Sequence, residues 1–315
     1  MKIAYLCPYF GKFPNHFQLW LNSCGMNKDC TWFVFTDDKR IYDYPENVKV
    51  EYLDLVELKN RFQTKFDFEI KLESIRKLGD YKPLFGYLFN EYIEGYKAWG
   101  HVDVNDSIYG NISKFITDEM IDSYDKIMCC GHMSIYKNTQ EVNELFMTNI
   151  PGLKNYREIF SNPEFMNFEE IGENSITSFF LKSNKRIKNL SGLYADISYK
   201  RYQFRLGGVS EDFTKYYWLP FKRQIFSWEN GHIYSYIVNG NFIEKKEYLY
   251  LHVKRRRIEL HLDNLSNVEN FMFTQSGFIP FETNITKKFI KKNDKVKLIY
   301  YIYIKDVLSK KIKRK

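Results

Sequence analysis

Ile3-Ala4-Tyr5-Leu6-Cys7-Pro8-Tyr9-Phe10-Gly11 is a short apolar strand that runs into a turn broken by Pro and Gly. Phe17–Asn22 then reads as a helix, and Thr31–Thr36 is a second apolar strand stopped by Asp37-Asp38. Strand, loop, helix, strand is the beginning of a parallel α/β sheet. Such sheets bind ligands at the carboxyl ends of their strands, so the loops after Leu6 and Phe35 are candidate ligand loops. Further along, Leu55–Gln63 and Leu84–Tyr96 have helical spacing. Trp99–Val104 reads as a short strand entering the polar turn Asn105-Asp106-Ser107, and Lys126–Cys130 as another buried strand. From about residue 196 the texture becomes strand-rich, with Tyr199–Arg205, Gln224–Trp228, His232–Val238 and Tyr248–Val253. Glu229-Asn230-Gly231 and Asn239-Gly240-Asn241 predict hairpin turns, since Asn and Gly accept positive φ.

The chain has 315 residues, 44% hydrophobic and 27% charged, enough apolar material for a large core and too much for disorder. Its 27 Phe and 25 Tyr serve packing first and ring-gripping clefts second. The net charge of +8 is local: residues 287–315 hold twelve Lys/Arg against two Asp/Glu, leaving −2 on residues 1–286. A nearly neutral body argues against a face that tracks a phosphodiester backbone. The tail interleaves Leu298, Ile299, Tyr300, Tyr301, Ile302, Tyr303 and Ile304 with lysines, which suits an anionic membrane surface. It also reads as a final element packed on the body with a frayed basic end. Five cysteines without CxxC spacing point to reduced thiols and a cytoplasmic protein, with Cys129 and Cys130 expected on opposite faces of a strand. No secretory signal and no apolar run of about 20 residues is present, so a soluble or peripheral protein is expected.

The chemistry-bearing residues begin with Asp103-Val104-Asn105-Asp106, an acidic turn at the end of an apolar strand. Oxygen ligands of this kind suit Mg²⁺ or Mn²⁺, although a lone acidic turn is also common on surfaces. Gly131-His132 follows a buried strand and should open into the same cleft. His252 lies beside Lys254, Arg255, Arg256 and Arg257, side chains suited to a diphosphate. Asp80 and Lys82 precede a helix, where they also read as a cap and a solvated cation.

The ordered set Tyr9-Phe10-Gly11-Lys12-Phe13-Pro14, Leu19-Trp20-Leu21-Asn22-Ser23, Phe35-Thr36-Asp37-Asp38 and Tyr44-Pro45-Glu46-Asn47-Val48 continues with Asp80-Tyr81-Lys82-Pro83 and Trp99-Gly100-His101 with Asp103. Gly110-Asn111-Ile112, Gly131-His132, Tyr136-Lys137-Asn138, Trp228-Glu229-Asn230-Gly231 and Leu251-His252 complete it. Over residues 1–258 this set resembles a family of bacterial proteins from capsule, exopolysaccharide and lipopolysaccharide gene clusters, whose members look like GT-A glycosyltransferases.

The resemblance implies a GT-A-like nucleotide-diphospho-sugar transferase fold: a mixed, mainly parallel sheet flanked by helices, with a β-rich C-terminal part and a basic tail. One catalytic domain would span 1–286, its nucleotide-binding part about 1–130 and its acceptor part 131–286, followed by the tail 287–315. The implied reaction moves a hexose or N-acetylhexosamine from a UDP-sugar to a glycan or lipid-linked glycan, at the inner face of the cytoplasmic membrane. Tyr9, Phe10, Asp37, Asp80, Lys82, Asp103, Lys254 and Arg255 would hold the nucleotide. Asp103, Asn105, Asp106 and His252 would hold Mn²⁺ or Mg²⁺. Glu170 or Glu169 would act as base in an inverting transfer, and His132 would bind or orient a sugar hydroxyl. One departure stands out, because the family's turn usually reads Asp-x-Asp and Asn105 lacks that charge. Either Asp106 supplies the second carboxylate or metal binds weakly; a catalytically inactive glycan- or nucleotide-binding protein is then the alternative, with a nucleic-acid-binding protein behind it.

Overall fold

The computed structural model describes residues 2–197, 204–253 and 258–294. It is a mixed α/β protein with one mainly parallel sheet and two further sheets drawn mostly from the C-terminal half. With strands numbered along the chain, the first sheet contains β1 (Ile3–Pro8), β2 (Cys30–Thr36), β3 (Val48–Tyr52), β4 (Ala98–Val102), β6 (Lys126–Cys130), β7 (Met133–Lys137) and β8 (Ile187–Lys188), in the order β3-β2-β1-β4-β7-β6-β8. All run parallel except β7, which opposes both β4 and β6. Ile3 to Cys7 are buried on both faces, which explains an unbroken apolar run where a half-exposed strand would alternate.

The helix after β1, α1 (Phe17–Gly25), turns Phe17, Leu19, Trp20, Leu21 and Cys24 inward. The helix α2 (Leu55–Gln63) starts at Asp54 with a reciprocal capping box to Glu57. The expected helix Leu84–Tyr96 is instead broken into Lys82–Leu84, Phe85–Leu88 and Asn90–Tyr92, the first and last being 3₁₀ turns. Leu84, Phe85, Leu88, Phe89 and Ile93 still all reach the core, as their helical spacing predicts. The strand expected through Val104 stops at Val102.

The second sheet has the order β11-β10-β9-β15-β5, from β5 (Ser107–Tyr109), β9 (Ala195–Ile197), β10 (Leu206–Val209), β11 (Tyr216–Trp218) and β15 (Tyr250–His252). The third is antiparallel, in the order β14-β13-β12-β16-β17: β12 (Gln224–Glu229), β13 (His232–Asn239), β14 (Phe242–Tyr248), β16 (Asn270–Thr274) and β17 (Gly277–Pro280). Its predicted turns carry positive φ at Asn230 (45°), Gly231 (82°) and Gly240 (53°). The expected strand Tyr248–Val253 is divided between two sheets: Tyr248 ends β14, and β15 begins two residues later in the second sheet. Most of the expected strand Tyr199–Arg205 lies outside the described residues.

One buried cluster joins Ile3, Trp32 and Val102 of the first sheet to Tyr250 of the second and Phe226 and Phe271 of the third. All five cysteines are buried free thiols. Cys129 and Cys130 sit at an irregularity, because Met128 has φ 66° and the β6–β7 register shifts between Ile127 and Cys130. Among the described residues no helix is long and apolar enough to cross a membrane. The basic tail begins as a helix, Lys287–Asn293, with Ile290 buried; residues 295–315 lie outside the described residues.

Candidate active site

The carboxyl ends of β1 and β4 open into a cleft of about 970 Å³. Pro8 and Tyr9 enter it from β1, and Val102 to Asp106 from β4. The two-residue hairpin Gly131-His132 between β6 and β7, Glu169-Glu170, and Lys82 form other walls. His252 arrives from the second sheet through strand register. β15 lies between β5 and β9, placing His252 opposite Ser107 and beside Asp196. Because β5 starts directly after the acidic turn, this pairing delivers the imidazole to the side of Asp103.

The side chains at the centre form a connected set. Lys82 Nζ donates to Asp103 Oδ1 at 2.7 Å and to the Gly131 carbonyl at 2.8 Å. The other oxygen of Asp103 lies 3.8 Å from His252 Nε2. His252 Nδ1–H donates to Asp196 Oδ1 at 2.9 Å, since an ionised carboxylate only accepts. The other ring nitrogen, Nε2, lies on the Asp103 side and is buried with no hydrogen-bond partner. His132 stacks on His252 with ring centres 4.1 Å apart, and its Nδ1 hydrogen-bonds Tyr250 at 2.8 Å. His132, Asp196 and His252 each bring a ligand atom within 4.8 Å of the others. These imidazole nitrogens and carboxylate oxygens fit a divalent cation, and the mixed donors suit Mn²⁺ better than Mg²⁺. A carboxylate behind a histidine is also the usual way to fix the tautomer of a metal ligand.

The charges are strongly coupled. Burial raises the Asp103 carboxyl, but Lys82 and His252 more than offset it and hold it at about 2. Burial pushes the Glu169 carboxyl up to about 8; Lys82 opposes this and Glu170 adds to it. Glu169 Oε2 is buried without a partner, whereas Glu170 accepts from the Tyr216 hydroxyl. Gly131 gives this pair room, because a Cβ there would sit 2.7 Å from Glu170 Oε1 and 2.9 Å from Glu169 Cγ and would push both side chains aside. Glu169 also implies a pH signature. Its proton is kept to about pH 8 in the fold but lost near 4.5 in the unfolded chain, so its stabilisation is complete below 4.5 and withdrawn as pH rises through 8. Glu169→Gln should flatten that decline in urea unfolding between pH 5 and 9, and gain about 2–5 kcal/mol over the parent at the alkaline end. Identical slopes in parent and variant would show that Glu169 ionises normally.

Several predicted residues fall elsewhere. Asp80 does not reach the cleft: it is fully buried, pairs with Lys77 at 2.9 Å, and accepts the Met166 and Phe168 amides, each at 2.9 Å. Its place is beneath the loop that carries Glu169 and Glu170, so the expected nucleoside contact is corrected to a positioning role. Phe10 is buried in the core, so only Tyr9 of that pair faces the cleft. Asp37 accepts the Gly11 amide at 2.6 Å and ties the first two strand-end loops together. Asn105 and Asp106 line the cleft, with the Asn105 carbonyl held by His16 Nε2 at 3.0 Å. Burial drops His16 to about 4, so it is neutral at physiological pH. Lys254 and Arg255 lie outside the described residues. Arg76 in the cleft and Asp196 behind His252 were not expected; Asp196 was detectable only as a charge between apolar Ala195 and Ile197.

Fold and site together define a mixed α/β protein whose mainly parallel sheet supports a carboxylate–lysine–histidine cleft at its strand ends. The chain belongs to the Family of unknown function (DUF6625), whose model matches residues 5–282. No curated protein matches it.

Proposed function

We propose that the protein is a GT-A-type glycosyltransferase that moves a hexose or N-acetylhexosamine from a UDP-sugar to a glycan acceptor in bacterial surface-polysaccharide synthesis. The observation that carries this reading is the convergence of Lys82, Asp103 and His252 on one cleft at the strand ends. Lys82 and Arg76 supply cationic walls for a diphosphate, and the ring of Tyr9 offers a surface for the base or ribose. Asp103 and the free Nε2 of His252 would hold Mn²⁺, with Asn105, Asp106, His132 and Asp196 nearby. A bound cation would neutralise charge developing on the departing diphosphate.

In an inverting transfer, the acceptor hydroxyl oxygen forms a bond to the anomeric carbon as the bond from that carbon to the diphosphate oxygen breaks. The bonding pair leaves with the diphosphate, and the hydroxyl proton passes to a carboxylate. Glu170 fits this base role, because Glu169 keeps its own proton to about pH 8. Lys82 and His132 bind and orient the reacting groups. A lipid-linked acceptor and an anionic membrane contact through the 287–315 tail complete the proposal at the inner face of the cytoplasmic membrane.

The test incubates the protein with UDP-glucose, UDP-galactose, UDP-N-acetylglucosamine and UDP-N-acetylgalactosamine, with and without Mn²⁺, and measures released UDP. Release from at least one donor, stimulated by Mn²⁺, is expected. UDP binding without release from any donor would favour a catalytically inactive nucleotide-binding protein, a second reading that Asn105 in place of a carboxylate supports. Absence of both binding and release would end the proposal.

A further inference from the structure

A second chamber of about 610 Å³ adjoins the cleft and shares His132, Asn167, Glu170 and Trp218 with it. Its outer wall is the edge strand β11, with Tyr216, Tyr217 and Trp218. Trp218 is the only one of the five tryptophans outside the buried core, and Tyr216 is 47% exposed. Opposite them in β10 are Gly207 and Gly208, paired with Trp218 and Tyr217. A Cβ at Gly207 would lie 3.0 Å from the Trp218 ring, and one at Gly208 only 2.7 Å from the Tyr217 hydroxyl. Each ring thus rests against bare backbone, Trp218 on the face that carries Asp196 and Tyr217 on the opposite face, and Tyr216 shares the Trp218 face because strand side chains alternate.

The two chambers differ in charge. Lys82 and Arg76 line the larger one, whereas the described lining of the smaller holds no Lys or Arg and contains Glu170, Glu173 and Asp196. An anionic ligand would be repelled there. A pyranose fits, because its C–H faces pack on aromatic rings and its hydroxyls donate to carboxylates. From this we infer that the smaller chamber is the acceptor subsite and takes an uncharged pyranose, with Tyr216 and Trp218 as its aromatic wall and Glu170 at the junction. The inference rests on the proposed transferase reading and adds the class of acceptor terminus.

The test is saturation-transfer NMR on the full chain with cellobiose, lactose, N,N′-diacetylchitobiose and a glucuronic-acid-terminated disaccharide as probes, beside calorimetry with UDP and Mn²⁺. At least one neutral disaccharide should bind, and the acidic one should not. Trp218→Ala should weaken the neutral probe about tenfold or more, and Tyr216→Ala about fivefold, as expected for loss of an aromatic partner. Trp218→Phe should restore part of the loss. UDP affinity should be unchanged in Tyr216→Ala, which lines only the smaller chamber, and this also reports that the variant is folded. Binding insensitive to both alanine variants, preference for the acidic probe, or no disaccharide binding would overturn the inference. Failure of UDP to bind the parent protein would instead count against the donor reading, so the two failures are distinguishable.

Discussion

Asp103→Ala should lower kcat/KM for UDP-sugar turnover by on the order of 10³-fold, a loss typical of removing a preorganised charge from a reaction centre. The carboxylate stands between Lys82 Nζ at 2.7 Å and His252 Nε2 at 3.8 Å, so its removal separates the two groups most directly aimed at a diphosphate or cation. Stability should fall only modestly, by less than for a fully buried pair, because the side chain is 28% exposed and Lys82 keeps the Gly131 carbonyl as a partner. UDP release and a thermal melt on the same preparation check both halves. Activity within fivefold of the parent, in a folded variant, would remove Asp103 from the site.

Asp80→Ala should have the opposite profile, with the main effect on folding. Lys77 and Asp80 are 1% and 0% exposed and form an ion pair under the 166–170 loop. Removing the carboxylate leaves the ammonium with two carbonyls, from Ile159 and Glu164, and leaves the Met166 and Phe168 amides unpaired. A broken buried pair costs about 3–5 kcal/mol, measurable by urea unfolding. The double variant Lys77→Met/Asp80→Leu should recover part of this, since no buried charge is then stranded. A single-variant cost below about 1 kcal/mol would show that the pair does not organise the loop.

Why one acidic residue of the same neighbourhood was legible and another was not comes down to what local sequence encodes. The β1–α1–β2 start, α2 and the two hairpin turns could be read because apolar period and turn residues act locally. Asp103 and His132 could be placed at strand ends for the same reason, whereas Lys82, Glu169 and Glu170 were reached only through the family resemblance. Asp80 shows the limit: a buried carboxylate that organises backbone looks the same in sequence as one that meets ligand. Asp196 depends on the β9–β15 register, a pairing between residues 56 apart in three-residue strands too short to show a period. Several residues of the ordered motifs also prove to be latches. Asn47 donates to the carbonyls of Cys24, Asn27 and Cys30, and the Trp228 indole donates to the Tyr109 carbonyl. Such residues carry a fold signature without touching the cleft.

The central claim is that the pyrophosphate of a sugar nucleotide binds where Lys82, Asp103 and His252 converge. A crystal structure of the protein soaked with UDP and Mn²⁺ tests it most directly. The account predicts diphosphate density against Lys82, with the cation between Asp103 and His252 Nε2. UDP ordered at another surface, or a cleft that stays empty at saturating UDP and Mn²⁺, would contradict it.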